Sequence, residues 1–119
     1  MSVEINVTGE VVTARLIGEL DHHSAKGMRE AIDNAVDLNM PSLLVLDFGE
    51  VSFMDSSGIG MIIGRYKTLT ALGGKMKIVC ANNNIKKIIF MSGIKSIVEI
   101  YDSLDEALSG SQEGKCSYG

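Results

Sequence analysis

The apolar residues of this chain are spaced in two different ways along its length. In several short stretches rich in Val, Ile and Leu they alternate with polar residues or run continuously, which predicts β-strands buried on one face or on both. The first two stretches are separated by Thr8-Gly9-Glu10, which is typical of a hairpin turn. The predicted strands are 3–7, 11–17, 42–48, 75–81 and 96–101.

Between the later strands the apolar residues recur every three or four positions, as on one face of an α-helix. The stretch after Asp55-Ser56-Ser57 shows this most clearly, and these residue types accept hydrogen bonds from the free N–H groups of a first helical turn. Its apolar positions are Ile59, Ile62, Ile63, Tyr66 and Leu69. Ser24 is the candidate cap of an earlier helix. The predicted helices are 25–39, one from Ser56 to the Gly73-Gly74 stop, 85–91 and a short one after Asp102-Ser103.

The order of these elements predicts an α/β protein. Two strands come first, then helix and strand alternate three times, and a final helix follows, which favours one mixed β-sheet of about four to five strands packed with about four helices. The length suits a single domain, which we assign to residues 1–109. Residues 110–119 lack apolar periodicity, so we expect them to form a flexible C-terminal tail.

This topology places two polar segments side by side. If strands 11–17 and 42–48 are parallel neighbours joined by a right-handed helical crossover, their carboxyl ends lie on the same edge of the sheet. Asp21 follows the first strand and Ser56 follows the second, so we expect these residues to be neighbours. Ser56 would also stand at the positive end of a helix, where an anion is stabilised.

The helix after Ser56 contains glycines that helix propensity disfavours. Gly60, Met61, Gly64 and Arg65 lie off its apolar stripe, so we expect Met61 to be exposed and Arg65 to lie on a solvated face. Glycines permit close approach of another backbone, and arginine can bind carboxylates. We therefore interpret this face as a docking surface for a protein partner.

Composition narrows the choice of partner and compartment. The net charge of −4 argues against nucleic acid or an anionic membrane as the main partner. The two cysteines have no disulfide-framework spacing, and no secretory signal or membrane-spanning run is present, so we expect a cytoplasmic protein. Adjacent His22 and His23 would chelate one ion poorly. The sequence thus predicts neither a metal nor a cofactor.

Two segments carry a family resemblance. GELDHHSA at 18–25 and VSFMDSSGIGMIIGRYK at 51–67 closely resemble the bacterial anti-sigma factor antagonists of the STAS domain family, above all those that act on the anti-sigma-F kinase in sporulation. The resemblance continues through GGKMKIVCANNNIKKIIFMSGI at 73–94 and fades after about Leu108. It implies a protein that is not an enzyme. Its unmodified form would bind an anti-sigma factor serine kinase and free the sigma factor.

The resemblance also implies roles for individual residues. The serine after the aspartate of the Asp-Ser-Ser-Gly motif is phosphorylated in this family, and that position is Ser56, with Ser57 next to it. Phosphorylation by the partner kinase would abolish binding, and a serine phosphatase would restore it. The aspartate of the Leu-Asp-His-His loop falls on Asp21, which we expect to support kinase contact. A surface substitution such as Asp21→Ala should then move stability by less than about 0.5 kcal/mol.

The alternative function is a serine-dependent hydrolase with Ser56 as nucleophile. The sequence lacks a G-x-S-x-G elbow, and Asp21 alone would be a poor base for a serine. The chain's histidines are His22 and His23, so a catalytic triad would need one of them. Nucleotide binding at the helix N-terminus is a weaker alternative still, since no P-loop sequence is present.

Overall fold

One five-stranded sheet forms the centre of the protein. The computed structural model describes the backbone of residues 2–113 and the side chains of residues 2–109. The strands are β1 (Ser2–Thr8), β2 (Val11–Leu20), β3 (Leu43–Met54), β4 (Lys75–Val79) and β5 (Glu99–Tyr101). The helices are α1 (His22–Asn39), α2 (Ser56–Ala71), α3 (Asn83–Met91) and α4 (Leu104–Glu113), with a short 3₁₀ turn at Ile94–Ser96.

The strands lie in the order β1-β2-β3-β4-β5, and the sheet is mixed. β1 and β2 form an antiparallel hairpin, whereas β2 to β5 run parallel to one another. Each parallel connection contains a helix, as a crossover requires. The predicted α/β class, the single mixed sheet and the set of four helices are confirmed.

Two apolar clusters cover the two faces of the sheet. The larger contains alternate residues of the central strands, such as Leu44, Leu46 and Phe48 of β3, together with the inner faces of α1, α2 and α3. The smaller contains the residues between them on β3, Leu43 and Val45, which face Ala107 of α4. Because successive side chains of a strand point to opposite faces, three helices pack on one side and α4 on the other.

The two strands that lead to the candidate site are longer than the sequence predicted. β2 continues to Leu20 and β3 to Met54, where they pair only with each other beyond the end of β4. Their register shifts twice along this extension, and Gly18 has a positive φ of 99° next to the second shift. The predicted end of β3 at residue 48 was therefore wrong, because the strand continues past Gly49 through a register shift opposite Arg15 and Ile17.

The C-terminal helix is also longer than predicted. α4 continues to Glu113, so residues 110–113, which we had assigned to a tail, are helical; residues 114–119 lie outside the described part of the chain. In the described range, none of the helices combines the length and the apolar character that crossing a membrane requires.

Candidate functional site

The carboxyl ends of β2 and β3 bring two helix N-termini together. Leu20 pairs with Met54 as the last residues of their strands, and the Asp55 amide donates a hydrogen bond of 3.2 Å to the Leu20 carbonyl. Asp21 and Asp55 follow directly, and each is the N-cap of the helix that it precedes. The expected shared edge for the segments bearing Asp21 and Ser56 is therefore present.

Asp21 caps α1 through a capping box. Its Oδ1 accepts hydrogen bonds from the amides of His23 and Ser24, each 3.0 Å long, while its own amide donates to Ser24 Oγ at 3.0 Å. These bonds, the one from Ser24 first, hold the pKa of Asp21 below its ordinary value of 3.8. The expectation that Ser24 caps the helix was wrong. Ser24 is buried in the first turn, and its hydroxyl donates to the Glu19 carbonyl at 2.7 Å.

Asp21 is therefore a structural residue as well as a candidate contact. Replacing an N-cap aspartate by alanine removes an acceptor that the first helical turn requires. We therefore now expect Asp21→Ala to lose stability, contrary to the expectation from the sequence, whereas asparagine at this position would keep the cap and remove only the charge.

Asp55 presents Ser56 to solvent. Its Oδ1 accepts a hydrogen bond of 2.8 Å from the Ser57 amide, and its carbonyl accepts one of 3.0 Å from the Gly58 amide. Ser56 is thus the first residue of α2, and it is exposed, while Ser57 is half buried. Ser56 is therefore accessible from solvent at the end of a helix whose dipole favours an anion.

The glycines of α2 have different surroundings. A Cβ on Gly58 would lie 2.4 Å from Met54 Cγ and 2.9 Å from Leu20 Cδ2, so the close approach at this position is to the protein's own strand ends. A Cβ on Gly60 or Gly64 would meet nothing within 4 Å. These two glycines therefore border open space.

Met61 and Arg65 are not on a solvent-exposed face. Met61 is 4% exposed and Arg65 is 7% exposed, so the prediction of an exposed methionine and a solvated arginine was wrong. The reason is that α2 packs against α1 as well as against the sheet, which widens its buried stripe beyond the side that Ile62 occupies.

Asp33 of α1 is the partner that sequence reasoning missed. Its Oδ1 lies 2.8 Å from Arg65 Nε in a salt bridge between the two helices. Burial lowers the pKa of Arg65, the negative charge of Asp33 raises it, and the positive charge of Arg29 lowers it. The ion pair joins positions 32 residues apart, and nothing in the local sequence indicates that pairing.

A groove of about 760 Å³ runs between α1 and α2. Met61 and Arg65 lie along it, with Gly60 and Gly64 on the α2 side. The α1 side of the groove carries exposed basic residues that the sequence analysis did not include in the candidate site, although their spacing places them on one helical face. They are His22, His23, Lys26 and Arg29.

Comparison with known proteins agrees with this architecture. The STAS domain model matches residues 2–107. An anti-sigma F factor antagonist from Paenibacillus polymyxa is 37% identical over 109 residues, which cover 92% of this chain and 93% of that protein.

Two solved structures extend the comparison. The anti-sigma factor antagonist SpoIIAA in its unphosphorylated form has a TM-score of 0.72 at 29% identity, covering 96% of this chain and all of that one. The phosphorylated form of SpoIIAA, a Bacillus cell fate determinant, has a TM-score of 0.71 at 31% identity, with 92% and 99% of the two chains covered. With the family model matching nearly all of its described residues, this chain belongs to the STAS domain family.

Proposed function

We propose that this protein is an anti-sigma factor antagonist that phosphorylation of Ser56 switches off. In its unmodified form it binds an anti-sigma factor serine kinase, which then releases its sigma factor; the kinase phosphorylates Ser56, and a serine phosphatase reverses the modification. The observation that carries the proposal is the exposed Ser56 at the start of α2, directly beside the start of α1. Similarity to antagonists known in unphosphorylated and phosphorylated forms supports it.

Phosphorylation of Ser56 should change the surface that binds the kinase and leave the fold of the domain unchanged. A phosphate at Ser56 would carry a charge of about −1.5 to −2. The free end of α2 accommodates such an anion, since the helix dipole stabilises it by roughly 0.3–1 kcal/mol. The domain can therefore remain folded when the charge of this edge changes.

A phosphate at Ser56 would weaken docking through what it meets in the interface. Asp21 and Asp55 cap the two adjacent helices, so a phosphate adds a third anion to an edge that docking must desolvate. A carboxylate of the kinase about 4 Å from that phosphate would be repelled by about 4 kcal/mol at an effective dielectric constant of 20, and a more distant one by less. A net loss of only about 3 kcal/mol would weaken docking roughly a hundredfold.

The hydrolase alternative receives less support from the same geometry. Asp21 Oδ1 is engaged by two backbone amides, and the lowered pKa makes this carboxylate a weaker base than an ordinary aspartate. Its position and bonding suit the capping of a helix better than the activation of a serine hydroxyl.

The test is a calorimetric titration of two Ser56 variants against the anti-sigma factor kinase. Ser56→Ala should bind like the unmodified protein and resist release by kinase and ATP, whereas Ser56→Asp should bind roughly a hundredfold more weakly. Ser109→Asp, which places the same charge on exposed α4 on the other side of the sheet, is the control and should bind normally. Equal affinities for Ser56→Ala and Ser56→Asp would contradict the switch, as would phosphate on another residue in mass spectrometry.

A further inference from the structure

The groove between α1 and α2 carries unbalanced positive charge. Arg65 on the groove side of α2 has one carboxylate beside it, Asp33, while Arg29 is close enough for its charge to act on Arg65 as well. Lys26 and Arg29 are exposed along the α1 side. Asp21, which directly precedes α1, is already bonded to amides of its own helix. The protein as a whole is acidic, with a net charge of −4, whereas Lys26, Arg29 and Arg65 give this groove a local excess of positive charge.

Arg65 also has hydrogen-bonding capacity that the described residues do not use. Its Nη1 is buried and has no hydrogen-bond partner among residues 2–109. The Nε atom contacts Asp33 Oδ1 at 2.8 Å, but that contact lacks hydrogen-bond alignment. A buried guanidinium donor without an acceptor is unfavourable, and a carboxylate is the acceptor that matches it best.

The α2 side of the groove borders open space at two glycines. Gly60 and Gly64 lie one helical turn apart beside Met61 and Arg65, and neither would have an atom within 4 Å of an added Cβ. The absence of side chains at these two positions lets another chain approach the backbone of α2 there.

We infer that this groove receives an acidic segment of the anti-sigma factor, whose carboxylates bind exposed Lys26 and Arg29 and offer buried Arg65 Nη1 an acceptor when that side chain turns toward the groove. The inference rests on the proposed function and identifies the chemistry of the partner's contact. It also connects the groove to the switch, because Ser57 lines the same groove and a phosphate on the preceding serine would repel the incoming carboxylates.

Charge reversal along α1 tests this contact. The variant Lys26→Glu/Arg29→Glu changes two exposed side chains, so its fold should persist, and its affinity for the anti-sigma factor kinase should fall by at least about tenfold. Its binding should also depend less on salt than wild-type binding between about 50 and 300 mM NaCl. Lys87→Glu/Lys95→Glu reverses two exposed cations away from the groove, so it is the matched control and should bind like wild type.

A second measurement follows Arg65 itself. The ¹⁵N resonances of its guanidinium should shift when the unlabelled kinase is added to wild type, and less so with the Lys26→Glu/Arg29→Glu variant. Wild-type affinity for that variant, or an unshifted guanidinium in a formed complex, would overturn the inference and leave the Ser56 switch standing. If the wild-type protein does not bind the kinase at all, the proposed function and this inference both fail.

Discussion

Replacing Gly58 by alanine tests the packing beneath the candidate site. The added Cβ would lie 2.4 Å from Met54 Cγ, 2.6 Å from Met54 Sδ and 2.9 Å from Leu20 Cδ2. Carbon atoms in contact normally lie about 3.5–4.0 Å apart, so Met54 would have to take another rotamer and Leu20 would have to move. Both side chains are buried, and both belong to the strand ends that position α1 and α2.

The size of the effect follows from two opposing contributions. Overpacking a close-packed site costs about 1–3 kcal/mol. Alanine gains up to about 1 kcal/mol over glycine in a helix, although less in the first turn, where Gly58 lies. We expect Gly58→Ala to lose about 1–2 kcal/mol of unfolding free energy. Gly60→Ala gains helix propensity without meeting any atom, so it should be more stable than wild type by about 0.5–1 kcal/mol.

Urea unfolding followed by circular dichroism measures the contrast. The two variants should differ by about 1.5–3 kcal/mol, or about 1 M in the urea midpoint for a typical m value. Gly64→Ala serves as a second open-position control and should behave like Gly60→Ala. If Gly58→Ala were as stable as Gly60→Ala, the close packing of Gly58 against Met54 would not constrain the site.

Three further substitutions probe other contacts. Asp21→Asn keeps the capping oxygen and should retain most of the wild-type thermal stability, whereas Asp21→Ala should lose more. Because the pKa of Asp21 is lowered on folding, its charge stabilises the fold fully above pH 3.8 and less below it, so the deficit of both variants should shrink in acid. A pH-independent deficit would contradict the role of the carboxylate. Asp33→Ala leaves Arg65 buried without its charge partner and should lower the free energy of unfolding in urea by about 1–3 kcal/mol. The loss is smaller than for a fully buried pair because Asp33 is partly exposed. An unchanged urea midpoint would show that the pair does not stabilise the fold. Lys77→Met removes the hydrogen bond of 3.0 Å from Lys77 Nζ to the Ala107 carbonyl, so it should speed amide hydrogen exchange in α4 but not in α1. Unchanged exchange rates in α4 would show that this bond does not hold the helix.

The order of strands and helices was predictable because it depends on local patterns. The apolar run 42–48 and the turn at Asp55 were visible in the sequence, and the parallel pairing of β2 with β3 followed from the crossover rule. The N-terminus of α1 was harder to place, since Asp21 and Ser24 are both good caps and lie three positions apart. The structure uses both, with Asp21 as the N-cap and Ser24 as its partner in the capping box.

The candidate site was predictable where the two helices begin and not along the groove between them. Asp21 and Ser56 follow strand ends, so their placement on one edge depends only on topology. The burial of Met61 and Arg65 depends on how α1 crosses α2, which the periodicity of one helix cannot show. For the same reason Asp33, 32 positions away, could not be recognised as the partner of Arg65.

The register shifts between β2 and β3 restrict how this region can change in length. From the pair Ala14–Leu46 to the pair Leu20–Met54, β2 advances six residues while β3 advances eight. Both counts are even, so Leu20 and Met54 return to the face that Ala14 and Leu46 occupy. Loss of one residue from β3 in this interval would turn Met54 away from the core and rotate the start of α2, whereas loss of two would preserve its facing. Insertions or deletions in this part of β3 should therefore preserve the site only when they change its length by an even number of residues, whatever those residues are.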